Sequence, residues 1–123
     1  MLKTAAIIFG IFFIVAGIGG FVPALAPGGH LFGVFMVDPV HNWVHILSGL
    51  AALVSAFAGA ARKYFQIFGI IYGLVAVIGF FYGNSPLLGI MGHNVADIWL
   101  HIAIAAVALF LGFGAKETAS GQP

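Results

Sequence analysis

Four long apolar runs, Thr4–Val22, Pro39–Ala60, Tyr64–Tyr82 and Val95–Phe113, take up most of the chain. Each is close to the ~20 mainly apolar residues that carry a helix across a bilayer. Short breaks separate them. Residues 26 to 30 read Ala-Pro-Gly-Gly-His and residues 83 to 86 read Gly-Asn-Ser-Pro, both turn-forming clusters. Arg62-Lys63 cannot lie cheaply at mid-bilayer. The pattern predicts an all-α integral membrane protein with four transmembrane helices and no strands. The first run, with Lys3 before it and Ala24-Leu25-Ala26 after it, has the outline of a signal peptide. Its apolar run is too long, however, for the roughly 7–15 residues of such a segment.

An internal repeat supports keeping that first run as a span. Shifting the chain by 59 places Ile8-Phe9-Gly10-Ile11 on Ile67-Phe68-Gly69-Ile70, Gly20-Phe21 on Gly79-Phe80 and Pro27 on Pro86. After a three-residue insertion, Gly28-Gly29-His30, the shift becomes 56. Leu31 and Gly33 then match Leu87 and Gly89. Trp43, His45 and Ile46 match Trp99, His101 and Ile102, and Ala52, Leu53 and Phe57 match Ala108, Leu109 and Phe113. The shared Trp-x-His-Ile is the specific part. The reading is a duplicated helical hairpin, with halves at about 5–60 and 64–113. A two-span unit returns to its starting side, so the copies are parallel, related by an axis along the membrane normal.

Charge fixes the expected orientation. Lys3, Arg62, Lys63 and Lys116 all fall on one side of the four-span arrangement, the cytoplasmic side by the positive-inside rule. Both termini are then cytoplasmic, and the chain divides into a single membrane domain at 1–114 and a short disordered tail at 115–123. Only 6% of residues are charged and 63% are apolar, too few charges for a water-facing surface. A net charge of +1 leaves no basic face for nucleic acid. Without cysteine there is no disulfide, thiolate metal site or cysteine nucleophile.

Polar residues inside the spans carry whatever chemistry there is. His41, His45, Ser48, Ala52 and Ser55 form one stripe of the second span; Asn94, Asp97, His101, Ala105, Ala108 and Gly112 form one of the fourth. The stripes match under the repeat, which predicts that these two spans face each other, with Gly10, Gly17, Gly69, Gly73 and Ala76 supplying the outer contacts. Phenylalanines are numerous and scattered, and are expected to contact lipid and fill space. Asp38-Pro39 and Asn94 read as helix starts, with Asp97 favoured near a helix N-terminus. Trp43 and Trp99 read as interfacial belt residues. Capping does not reach His45 and His101, which lie about 10 Å beyond their caps at 1.5 Å per residue. An ionisable residue at that depth is a functional candidate.

The expected site is therefore His41, His45, Asp97 and His101, on the outward half. Four uses compete for it. The first is a polar network from histidine to aspartate, serine or backbone carbonyl. The second is a transition metal such as Zn, Cu or Fe, for which neutral imidazole is the commonest ligand. The third is a b-type haem held between His45 and His101, and the fourth a proton relay or small-molecule pocket. His30 and His93 read as loop histidines, His93 being near enough to serve as a mobile ligand. No nucleotide-binding loop, hydrolase triad or glycosidase carboxylate pair is present.

Two stretches carry a family resemblance. Gly33 to His45 spells Gly-x-Phe-x-Val-Asp-Pro-x-His-Asn-x-x-His, and Asn94 to His101 spells Asn-x-x-Asp-x-x-x-His; Gly20-Phe21-Val22-Pro23 ends the first span. Over about residues 5 to 113 the chain resembles a family of small bacterial four-span membrane proteins of unknown function. A looser likeness is to the DoxX-like four-span proteins, which implies a redox-linked accessory role. The family resemblance implies the bacterial cytoplasmic (inner) membrane and no established activity. The expected function is a non-enzymatic membrane protein whose His/Asp cluster binds a metal or organises the bundle. The alternatives are a haem-binding electron-transfer protein and an accessory subunit of a larger membrane complex. The expected partners are the bilayer and a homo-oligomer or larger complex.

Overall fold

The computed structural model describes residues 1–116, so the expected tail lies, from residue 117 onward, outside the described residues. The chain runs through four helices: α1 (Leu2–Gly19), α2 (Pro39–Phe57), α3 (Ala61–Tyr82) and α4 (Val95–Leu109). A π-helical turn, Phe110–Gly114, extends α4. All four are long and apolar enough to cross a membrane, the last counted through Gly114. The chain is a multi-pass membrane protein.

Several helix boundaries differ from the sequence expectation: α1 runs Leu2–Gly19 rather than Thr4–Val22, and two others have clear causes. The second span stops at Phe57 rather than Ala60. Gly59 takes a positive φ of 73°, and the Ala60 amide donates back to the Ser55 carbonyl at 2.8 Å. That left-handed glycine with a long return bond is a Schellman ending. The third span starts at Ala61, so Arg62-Lys63 lies in its first turn and not in a linker. The Arg62 guanidinium donates to the carbonyls of Gly112 (3.2 Å) and Ala115 (2.8 Å), and Gln66 Nε2 also donates to Gly112 (2.9 Å). Carbonyls at a helix C-terminus have no onward helical partner, and the basic side chain satisfies these two.

Strands are also present, against expectation. β1 (His30–Leu31) and β2 (Phe35–Met36) pair antiparallel, with Leu31 opposite Phe35. An isolated antiparallel bridge joins Leu87 to Met91, each 56 residues on. Both turns put a non-glycine residue followed by glycine at positive φ: Phe32 (54°) and Gly33 (75°), then Leu88 (52°) and Gly89 (74°). Each stretch closes its backbone on itself because a loop at the membrane surface must satisfy its own amides. The ring pairs Phe21–Trp43 (5.9 Å) and Phe80–Trp99 (6.0 Å) sit at matching positions, and both indoles are exposed.

Tightest packing lies within each hairpin, α1 on α2 and α3 on α4. A Cβ on Gly49 would stand 2.6 Å from the Gly10 carbonyl oxygen, and one on Gly112 2.7 Å from the Gln66 amide nitrogen. Small residues give helices in lipid this close approach, since lipid supplies no hydrophobic drive for association. Gly73, expected to be an interhelical contact, meets nothing within 4 Å, whereas Ala76 is buried. Between hairpins the contact is aromatic. Phe9 meets Phe65 at 5.0 Å, and Phe13 meets Phe68 at 5.4 Å and Tyr72 at 5.7 Å. Phe13 and Phe65 are fully buried, so part of the phenylalanine set is core rather than lipid contact. The α2 and α4 backbones do not pack closely as their matched stripes predict; they meet through long side chains.

Candidate metal centre

The ends of α2 and α4 that carry the histidines are fixed by reciprocal ties between the two loops. Asp38 caps α2, its Oδ1 accepting from the His41 amide at 2.8 Å, while Oδ2 accepts from the Gly92 amide at 2.6 Å. Asn94 caps α4 through Oδ1, accepting from the Asp97 amide, while its Nδ2 donates to the Val34 carbonyl at 2.9 Å. Each N-cap therefore holds its own helix and the loop of the other hairpin. Pro39 at the first helical position suits the same geometry.

This arrangement gives a prediction. Asp38→Ala should destabilise the protein by about 2 kcal/mol, the sum of a lost cap of ~1 kcal/mol and a lost charge-assisted bond to the Gly92 amide. Asp38→Asn keeps an oxygen for the His41 amide and should cost about half as much. Melting of both variants in one detergent checks this; an unchanged Asp38→Ala would remove the tie from the account.

Three imidazoles converge below the ties. His41 and His45 stand one turn apart on α2 with ring centroids 4.5 Å apart, and His101 of α4 lies 5.7 Å from His41 and 6.4 Å from His45. All three are buried, and one ligand nitrogen from each lies within 4.8 Å of the others. Phe13 packs on His45 and Tyr72 on His101, each at 5.4 Å, making an apolar surround. The His41 Nδ1 is 2.8 Å from the Gly92 carbonyl, which can only accept, so Nδ1 carries the proton. Nε2 is then a bare lone pair, buried and without a hydrogen-bond partner. The His45 Nδ1 is likewise buried and unpartnered.

Of the four predicted residues the structure gathers three. Asp97 is buried but committed elsewhere: its Oδ2 accepts from the Asn94 amide at 2.9 Å, closing a capping box. His41, not Asp97, supplies the third donor. The expected hydrogen bonds from histidine side chains to aspartate and serine are absent among the described residues; the backbone carbonyl of Gly92 is the partner of the His41 ring. A macrocycle clamped by His45 and His101 would have to displace the His41 ring, which sits close to both.

His30 stays in its loop, half-buried, with Nδ1 3.0 Å from the Gly28 carbonyl. His93 does not behave as a loop residue. It is 1% exposed with neither ring nitrogen hydrogen-bonded. It lies within electrostatic reach of His41 and His101, in a slot left open by Gly79, where a Cβ would stand 3.5 Å from Nε2. The Gly79–His93 fit joins residues 14 apart across a turn, and no helical spacing announces it.

A family model matches residues 3–114. The chain belongs to the DUF4383 family, a domain of unknown function. No curated protein and no solved structure matches it. For this DUF4383 member the site geometry is therefore the main guide to function. The family match covers all four spans and the whole histidine cluster.

Proposed function

We propose that the protein is a non-enzymatic inner-membrane protein that binds one first-row transition ion through His41, His45 and His101. The carrying observation is the His41 ring, whose Nδ1–H is held by a backbone carbonyl while its buried Nε2 lone pair has no partner. Metal-ligating histidines typically use their second nitrogen in this way, which fixes tautomer and ring orientation. Left empty of any partner, each buried polar atom costs about 1–3 kcal/mol. Imidazole ligation with no thiolate suits Zn, Cu or Fe.

Zinc holds imidazole nitrogens at 2.0–2.1 Å, so binding would draw these rings together by roughly 1 Å. His93 is the natural fourth ligand, since it is buried within electrostatic reach of His41 and His101 and has both nitrogens free of hydrogen bonds. The ion would brace the hairpins, tying α2 to α4 where their backbones do not pack. That reading unites the metal and bundle-organising roles.

Chelation tests it. Wild-type protein loaded with metal should lose about 4 kcal/mol of stability on chelation, the gain expected at a thousandfold excess over the dissociation constant. Binding needs neutral imidazole, so the metal-dependent stability should be present at neutral pH and lost on acidification. Identical melting with and without chelator would contradict the reading.

We also propose that the basic end faces the cytoplasm and the histidine end the outside. The contacts of Lys3 with the Phe57 ring and of Arg62 with Ala115 support one shared basic end. The chain has no native cysteine, so labelling is clean. In intact cells Lys63→Cys should be protected from a membrane-impermeant thiol reagent and Ser85→Cys should react. The reverse pattern would invert the orientation.

A further inference from the structure

The bundle has two grooves in matching places, and they have diverged. One lies between α2 and α3 and encloses about 640 Å³; the other, between α4 and α1, encloses about 180 Å³. The matched pairs His41/Asp97, His101/His45 and Tyr72/Phe13 line the two. Their difference in size comes from three positions on α2. Ser48, Ala51 and Ser55 line the large groove, whereas the residues 56 further on are Ile104, Val107 and Leu111. Ile104 stands in the wall of the small groove where Ser48 stands in the large one, and the two other small residues also have larger, branched counterparts.

The open groove has the surroundings of a lipid chain and one charge. Its walls are almost wholly apolar, and Leu47, Ile67 and Ile71 on its rim are exposed, so it opens towards the bilayer. Lys63 stands at one end; the position corresponding to it in α1 is Thr4. The neighbouring Arg62 is spent on the Gly112 and Ala115 carbonyls, and the described carboxylates, Asp38 and Asp97, belong to the opposite end. The Lys63 ammonium is thus left to face an anion at the membrane surface. From Lys63 to Tyr72 the groove rises nine residues, or about 14 Å at 1.5 Å per residue, close to half of a ~30 Å hydrocarbon core.

We propose that the α2–α3 groove is a binding site for one acyl chain of an anionic phospholipid, with the phosphate at Lys63. The chain lies along Ser48, Ala51 and Ser55, and its tip ends beneath Tyr72, whose hydroxyl is 3.3 Å from the Ser48 hydroxyl. Lipid would fill space that the α4–α1 groove fills with its own side chains. The proposal does not depend on a metal being bound.

Native mass spectrometry of the protein, delipidated and then given phosphatidylglycerol or phosphatidylcholine, tests it. Wild type should retain one phosphatidylglycerol, preferred over phosphatidylcholine about fivefold, the ratio set by one lysine near an anionic surface. Ser48→Ile with Ala51→Val and Ser55→Leu copies the filled groove and should reduce retention to background, with metal content unchanged. Ser48→Ile alone should reduce it in part, which keeps the test open should the triple variant misfold. Lys63→Gln should still retain lipid but lose the preference. Undiminished retention by the folded filled variants, no retained lipid in wild type, or an undiminished preference in Lys63→Gln would overturn the proposal. A lipid-free dimer that separates in the filled variant would overturn it too, assigning the groove to a second copy.

Discussion

Replacing His101 with glutamine should weaken metal binding at least about 100-fold and so remove about 3 of the ~4 kcal/mol that a thousandfold excess of metal adds to wild type. His101 is the one helix-borne ligand from the second hairpin, and His41 and His45 come from the first. Without it the ion loses its ligand on α4. Loss of a direct ligand should weaken affinity by at least about 100-fold, the upper range found for the outer-shell partners of such ligands. His45→Gln should behave alike. Glutamine keeps hydrogen-bonding capacity, and interhelical hydrogen bonds in membranes average only ~0.6 kcal/mol, so the chelated forms should differ little from wild type. A His101→Gln protein that melts well below chelated wild type would mean that the ring supports the bundle itself. Spectra of a cobalt-loaded sample would separate the cases independently, since they report the ligand set.

Gly49→Val should cost about 3 kcal/mol, at the upper end of ordinary overpacking penalties, because two of the three nearest atoms in the way, the closest included, are backbone. A Cβ at position 49 would lie 2.6 Å from the Gly10 carbonyl oxygen and 2.9 Å from the Ile14 amide nitrogen. Neither can swing aside as a side chain would, so α1 and α2 must separate. Gly73→Ala is the control: nothing lies within 4 Å of that position, and the change should stay within about 0.5 kcal/mol. Unfolding of both variants by a mild-to-harsh detergent titration makes the comparison. Equal effects at the two positions would show that the hairpin is not held by close backbone approach.

The four spans were legible because length and apolar continuity determine them without reference to partners. Boundaries were less so. Ala58, Gly59 and Ala60 look like continued helix until Gly59 adopts its positive φ, and Arg62 looks like a linker until the Gly112 and Ala115 carbonyls are found beside it. His41, His45 and His101 stood out through their one-turn spacing and repetition. Asp97 did too, but sequence cannot say whether a carboxylate near a helix start turns to its own cap or to a site; here it turns to the cap. The burial of Phe13 and Phe65 was hidden because phenylalanines occupy every face of these helices. The matched stripes of α2 and α4 correctly placed the imidazoles together, yet close backbone approach went instead to the glycine-bearing hairpin faces.

X-ray absorption at the metal edge, on protein purified gently in metal-supplemented buffer, tests the proposed metal centre most directly. The account predicts one ion per chain with four imidazole nitrogens at about 2.0–2.1 Å in wild type, and three plus a water in His93→Gln. Absence of stoichiometric metal, or a first shell of carboxylate and water oxygens without imidazole, would contradict it.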